Sequence, residues 1–249
     1  MTPSSASSSA PSTGLTIAFV LYDRMTALDV IGPMEVLRFI PGTRLHFVSA
    51  ARGPVHTDTP PLDLYASASF DEVPDPDVVV VPGGPGTDSV LDGPLVEWLR
   101  AVHDRARWTT SVCSGSVVLA AAGLLAGVRA TSHFSVMDLL GQLGAVPVAD
   151  RVIKVPDHRI ITCAGVSSGI DMALGLATEL ADELTARAIQ LVLEYDPQPP
   201  FDSGSLTSAN SDVVQRAIEI GRPHGAIPDF WPATNPDQIR SQSDVSSFK

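Results

Sequence analysis

Short apolar runs alternate with longer stretches of helical period along most of the chain. Leu15–Tyr22 (LTIAFVLY), apolar but for Thr16, has the pattern of a strand buried on both faces. Gly32–Phe39 (GPMEVLRF) then reads as a helix and Leu45–Ala50 as a second strand. Val55–Phe70, with Thr, Pro and alternating small apolar residues, predicts a short hairpin on the sheet edge. Val78–Val81 (VVVV) is a buried strand running into the tight turn Pro82-Gly83-Gly84, and Leu91–Ala106 places Leu95, Trp98, Leu99 and Val102 at helical spacing. Trp108–Val112 is the next strand, Ser114–Leu125 a helix closed by Gly127, and Ser135–Leu143 another helix. Val152–Val155 and Arg159–Cys163 predict a strand pair turning at Pro156-Asp157-His158, followed by helices over Ile170–Leu180 and Leu184–Tyr195. This alternation argues for an α/β sandwich with a mostly parallel sheet.

The pattern fails at both ends. Residues 1–14 hold six Ser and no charged side chain, which predicts a disordered tail, with neither the basic nor the apolar stretch of a signal peptide. From Asp196 the text turns rich in Pro and polar residues. A helix over Asp212–Ile220 and the apolar anchors Ile227, Phe230, Trp231 and Ile239 predict an extension, 202–249, draped on the 15–201 domain or on a partner subunit.

Composition narrows the function. The 249 residues are 44% hydrophobic and 18% charged, enough apolar material for a full core. A net charge of −12 and only two lysines argue against a phosphate backbone as partner. Apolar runs such as Ser116–Leu125 fall far short of the roughly 18–20 residues that cross a bilayer, so no membrane is expected. Two cysteines, Cys113 and Cys163, make no disulfide framework and suit a reducing cytoplasm.

The chemistry gathers at Cys113. The strand WTTSV runs into it and a helix starts at once, with small Ser111 and Gly115 two residues to either side. Such a nucleophile elbow thrusts the reactive atom outward, and a helix N-terminus there is expected to lower the thiol pKa. An inert buried thiol is the plainer alternative, and it is the reading given to Cys163. In an open α/β sheet, ligands collect at the carboxyl ends of strands. Another strand end there is the glycine loop 82–86, whose Gly84 amide, with that of Ser114, is a candidate oxyanion-type donor or simply part of a turn. Asp29 either reaches the sulfur or caps the helix entered at Gly32. Glu35 is a site carboxylate or a first-turn helix charge. His133 supports the cysteine or starts a helix, and Asp171 reads as a helix-start residue. The histidines lack metal-ligand spacing, so no metal is expected.

The segments LDVIGPMEVL, VVVVPGGPG, SVCSGSVVLAAAGLLAG, RATSH and AGVSSGIDMAL, with the closing LEYDPQPPF, resemble the DJ-1/PfpI superfamily, and within it the isonitrile-hydrating branch. The resemblance implies a flavodoxin-like three-layer fold and a homodimer with the site near the subunit interface. It also implies Cys113 as nucleophile, Asp29 as the acid that hydrogen-bonds it, and the Gly84 and Ser114 amides as donors near the sulfur. The implied activity is cofactor-independent hydration of a small isonitrile to an N-substituted formamide. The protease-like branch carries His after the cysteine, where this chain has Ser114. The regulator branch adds a DNA-binding domain, for which the chain after Asp196 is too short and too acidic. The alternatives are a sensing domain in which Cys113 is oxidised, or a glyoxalase acting on 2-oxoaldehydes. The latter uses a Glu where Asp29 stands and a closely placed His.

Overall fold

The structure, a computed structural model, describes residues 14–231. The expected tail, save Gly14, and Ile239 lie outside them. In chain order the elements are β1 (Thr16–Val20), α1 (Ala27–Leu37), β2 (Arg44–Ser49), β3 (Gly53–His56), β4 (Asp63–Ala66), β5 (Ala68–Ser69) and β6 (Val78–Val81). There follow α2 (Pro94–His103), β7 (Trp108–Val112), α3 (Gly115–Ala121), β8 (Arg129–Ala130), α4 (Met137–Gln142), β9 (Val146–Pro147), β10 (Val152–Val155) and β11 (Ile160–Cys163). Three helices complete the series: α5 (Ser168–Leu180), α6 (Glu183–Val192) and α7 (Ser211–Gly221).

Seven strands form one sheet in the order β10-β11-β7-β6-β1-β2-β5. Every neighbouring pair is parallel except β10 with β11. All four valines of β6 are fully buried, as a strand covered on both faces demands. The helices fall into two packed sets, α1 on α5 on α6, and α2 on α3 on α4. This is an α/β fold with a mostly parallel central sheet.

The differences from the sequence expectation are local. Helix α1 begins at Ala27, five residues earlier than the pattern predicts, because the run ALDVIG is buried at Asp29, Val30 and Gly32 rather than left as a loop. The expected hairpin forms from β3 and β4, but as a separate two-stranded sheet, and the edge strand of the main sheet is β5. Helix α3 is only seven residues long and gives way to turns after Ala121.

Four adjacent parallel strands, β11, β7, β6 and β1, bring their carboxyl ends to one edge, where β7 runs into Cys113, the loops after β11 and β6 meet Cys113 and Ser114, and the loop after β1 meets the 82–87 loop. Close packing holds this edge. A Cβ on Gly115 would lie 2.3 Å from the Val81 carbonyl oxygen, and one on Gly83 would lie 2.4 Å from the Ser114 nitrogen. Only glycine lets β6 and the start of α3 approach this closely. Gly115→Ala is therefore expected to cost about 1–3 kcal/mol in urea unfolding; an unchanged midpoint would mean that α3 starts without this contact.

Candidate active site

Cys113 lies at the end of β7 with φ 58°, in the left-handed region that non-glycine residues enter only when their surroundings hold them there. Its amide donates to the carbonyls of Cys163 at 3.2 Å and Ala164 at 3.0 Å, and its own carbonyl accepts the Ser132 hydroxyl at 2.9 Å. The residue is thus tied to β11 and to the 131–136 loop, and its side chain is 6% exposed. The thiol is pushed well above its ordinary range, first by burial and then by the Asp29 carboxylate, while the amides of Val166 and Ser114 draw it back. This corrects the expectation of a lowered pKa. Burial outweighs the donors, and a seven-residue helix contributes little dipole.

Asp29 is fully buried in the first turn of α1. It is not the helix cap, since Thr26 occupies that position. Its Oδ2 accepts the Gly83 amide at 2.8 Å, and its buried Oδ1 has no well-formed partner. Burial raises this carboxyl to about 8, the Gly83 amide lowers it, nearby Asp58 raises it, and a side-chain hydrogen-bonding contact with the Cys113 thiol eases it down. The fold therefore brings the Asp29 carboxyl within interaction range of the Cys113 thiol. At neutral pH the carboxyl holds its proton.

The other candidates sort by their partners. The Ser114 amide faces the sulfur. The Gly84 amide does not: it donates to the Ser114 hydroxyl at 2.9 Å, and the second donor to the sulfur is Val166. Val166 follows β11, the strand beside β7, so the same strand-end rule that located Gly84 could have found it. Glu35 points away and pairs with Arg38 at 2.7 Å on the surface. His133 turns its Nδ1 to the Ser135 hydroxyl at 2.7 Å, caps the short helical turn 134–136 and stacks near Phe134 at 4.3 Å. Burial pushes it down to about 4, so it is neutral, with its hydrogen bonds on Ser135 instead of the cysteine. Asp58, which the sequence pattern did not mark, accepts the Thr26 hydroxyl at 2.6 Å at the head of α1. Asp171, expected at a helix start, lies in the first turn of α5 and accepts from Arg151 and, at 2.9 Å, from the Tyr195 hydroxyl. Cys163 gives its thiol proton to the Ser111 carbonyl at 3.3 Å, and burial lifts it to about 12.

Among the described residues, no three His, Cys, Asp or Glu side chains cluster closely enough to hold a metal, and no helix is long and apolar enough to cross a membrane. An open cavity of about 490 Å³ lies against β10, lined by Arg129, Lys154 and His158, away from the cysteine. Volume does not mark this site. A strained residue, two amides and a buried acid do.

The DJ-1/PfpI family pattern matches residues 15–179. Isonitrile hydratase of Pseudomonas putida is 44% identical over 210 residues, which cover 84% of this chain and 91% of that protein. A THiJ/PfpI family protein from Pseudomonas syringae superposes with a TM-score of 0.80 at 33% identity, covering 100% of this chain and 98% of that one. Drosophila melanogaster DJ-1beta shares the fold, with a TM-score of 0.66 at 24% identity over 73% of this chain and 98% of its own. The chain belongs to the DJ-1/PfpI family.

Proposed function

We propose that the protein hydrates a small isonitrile, R–NC, to the N-substituted formamide, with Cys113 as nucleophile and Asp29 as general acid and base. The observation that carries the reading is the Asp29 carboxyl, fully buried beside the elbow thiol, where burial raises it to about 8. The similarity to isonitrile hydratase supports it.

The terminal carbon of an isonitrile accepts both a nucleophile and a proton. Cys113 thiolate forms the C–S bond while the Asp29 proton passes to that carbon, leaving the thioimidate Cys–S–CH=N–R and an ionised Asp29. Water then adds to the carbon. One of its protons reaches the nitrogen and the other returns to Asp29 as the carbonyl forms. The C–S bond breaks, the formamide leaves, and thiolate and carboxylic acid are restored. The amides of Ser114 and Val166 steady the negative sulfur at the start and the end of this cycle. Every proton is supplied by water or by the pair, so the cycle calls for no cofactor.

An exposed thiol of low pKa would favour a redox-sensing role, whereas Cys113 is buried and burial raises its thiol. A glyoxalase of the kind considered would use a histidine close to the cysteine, and the hydrogen bonds of His133 go to Ser135. The homodimer and the cytoplasmic location belong to the same proposal. Exposed Leu184, Leu191 and Val192 on α6 offer apolar surface to a second copy.

With p-nitrophenyl isocyanide as substrate, Cys113→Ala is expected to turn over no faster than buffer alone. Asp29→Asn should fall ~10²–10⁴-fold, the usual worth of general acid–base help. Turnover that survives the cysteine change would remove the covalent route.

The pH profile follows from the pair. Asp29 and Cys113 titrate as a unit, and the working form holds one proton between them. Below about 8 the pair holds both, so kcat/KM should climb as pH rises through about 8 and then level until the second proton leaves. In Asp29→Asn the nearby negative charge is gone, so the pH at which iodoacetamide alkylates Cys113 should move down. A flat kcat/KM profile between about pH 6 and 9 would contradict the shared proton.

A further inference from the structure

The reaction uses the Ser114 amide and leaves its hydroxyl unassigned. That hydroxyl accepts the Gly84 amide at 2.9 Å and lies 2.8 Å from Thr87 Oγ1. Thr87 donates to the Gly84 carbonyl at 2.8 Å. The Tyr22 hydroxyl donates to the Pro82 carbonyl at 2.9 Å and lies 3.1 Å from Thr87 Oγ1. Tyr22, Thr87 and Ser114 are all buried.

Counting protons orders these contacts. Each of the three side chains has one hydroxyl proton. The Pro82 and Gly84 carbonyls can only accept, so they take the protons of Tyr22 and Thr87. The short Ser114–Thr87 contact is then made by the Ser114 proton. With the Gly84 N–H on the Ser114 oxygen, a ring closes through Ser114, Thr87 and both polar groups of Gly84. The same loop is pinned to the head of α1, where the Thr26 amide donates to the Gly83 carbonyl at 2.9 Å and the Gly83 amide holds Asp29. Gly84 sits at φ 140°, and a Cβ there would come within 2.5 Å of the Thr26 nitrogen.

We propose that Thr87 is a positioning residue: through this ring it staples the 82–87 loop to the elbow, holds the Ser114 amide on the sulfur and commits the Ser114 proton away from the substrate. Within the staple, Ser114 cannot act as an acid, and the proton that reaches the isonitrile carbon comes from Asp29. Thr87 itself touches no reacting atom. It acts on both partners because one loop carries the Gly83 amide to Asp29 and the Gly84 peptide to Ser114.

The proposal rests on the hydratase reading for its rate arm only, so two readouts are used. Thr87→Val, which keeps the shape and loses the hydroxyl, is expected to raise the apparent thiol pKa seen by iodoacetamide as the Ser114 amide withdraws. It should also lower kcat for p-nitrophenyl isocyanide about tenfold, the order of one hydrogen bond, with KM nearly unchanged. Thr87→Ser restores the hydroxyl and should recover both. A folded Thr87→Val with the wild-type alkylation profile overturns the staple. If that variant does not fold, Tyr22→Phe, which removes the proton that Tyr22 places on the Pro82 carbonyl of the same loop, should shift the alkylation profile the same way by less, and no shift overturns the proposal equally. An alkylation shift in a protein that hydrates no isonitrile supports the staple and refutes the hydratase reading.

Discussion

Burying the Asp29 carboxyl beside the Cys113 thiol is the constraint around which the cleft is arranged. Each group would be ionised more readily in water: burial raises both, the Asp29 carboxylate raises the thiol further, and the thiol contact draws Asp29 only partly back. The surrounding donors are few and specific. One amide from the 82–87 loop reaches Asp29, and two amides from different strand ends reach the sulfur. Asp58 at the head of α1 adds a second negative charge that keeps the Asp29 proton in place. Such a pair is poor at stabilising a fold, because burial penalises its ionised forms. It is well suited to moving one proton between sulfur, carboxyl and a bound carbon.

The two cysteines show that burial alone does not make a nucleophile. Both thiols are raised by desolvation, and Cys163 lies at the end of the strand next to that of Cys113. Cys163 gives its proton to a strand carbonyl and sits in ordinary strand geometry. Cys113 stands one residue past its strand in a left-handed conformation, which turns it out of the ladder toward the amides and Asp29. The difference is one residue of chain position and the backbone angle that follows.

The described part of the extension reaches both sides of this cleft. Gly225 lies against Pro85, close enough that a Cβ would stand 2.9 Å from the proline Cβ, and Trp231 meets Phe134 edge-on at 5.3 Å. Pro85 belongs to the loop that holds Asp29, and Phe134 to the loop whose Ser132 bonds the Cys113 carbonyl. Ala209, Val214, Ile218, Ile227 and Trp231 form a small apolar cluster of their own, with Phe134 and Leu206 packed against it. The sequence left open whether this extension lies on the domain or on a partner subunit; two of its expected anchors, Ile227 and Trp231, pack in the cluster that meets Phe134 of the domain, whereas Phe230, expected as a third, is exposed.

Apolar runs and their spacing were enough to place most strands and helices, since burial on both faces leaves an unbroken signature such as Val78–Val81. The elbow was legible too, because a strand, a cysteine and small flanking residues stand together in the chain. Partners from distant segments were not. Whether Asp29 capped α1 or faced the sulfur depended on where that helix began. Whether the Gly84 amide was free depended on a hydroxyl thirty residues away. The roles of Glu35 and His133 were decided by neighbours that spacing does not reveal. Local pattern determined which residues could form each element and where the nucleophile would stand. Only the packing of four strand ends decided which donors and acids surround it, because hydrogen-bond partners and desolvation belong to three-dimensional neighbourhoods rather than to positions along a chain.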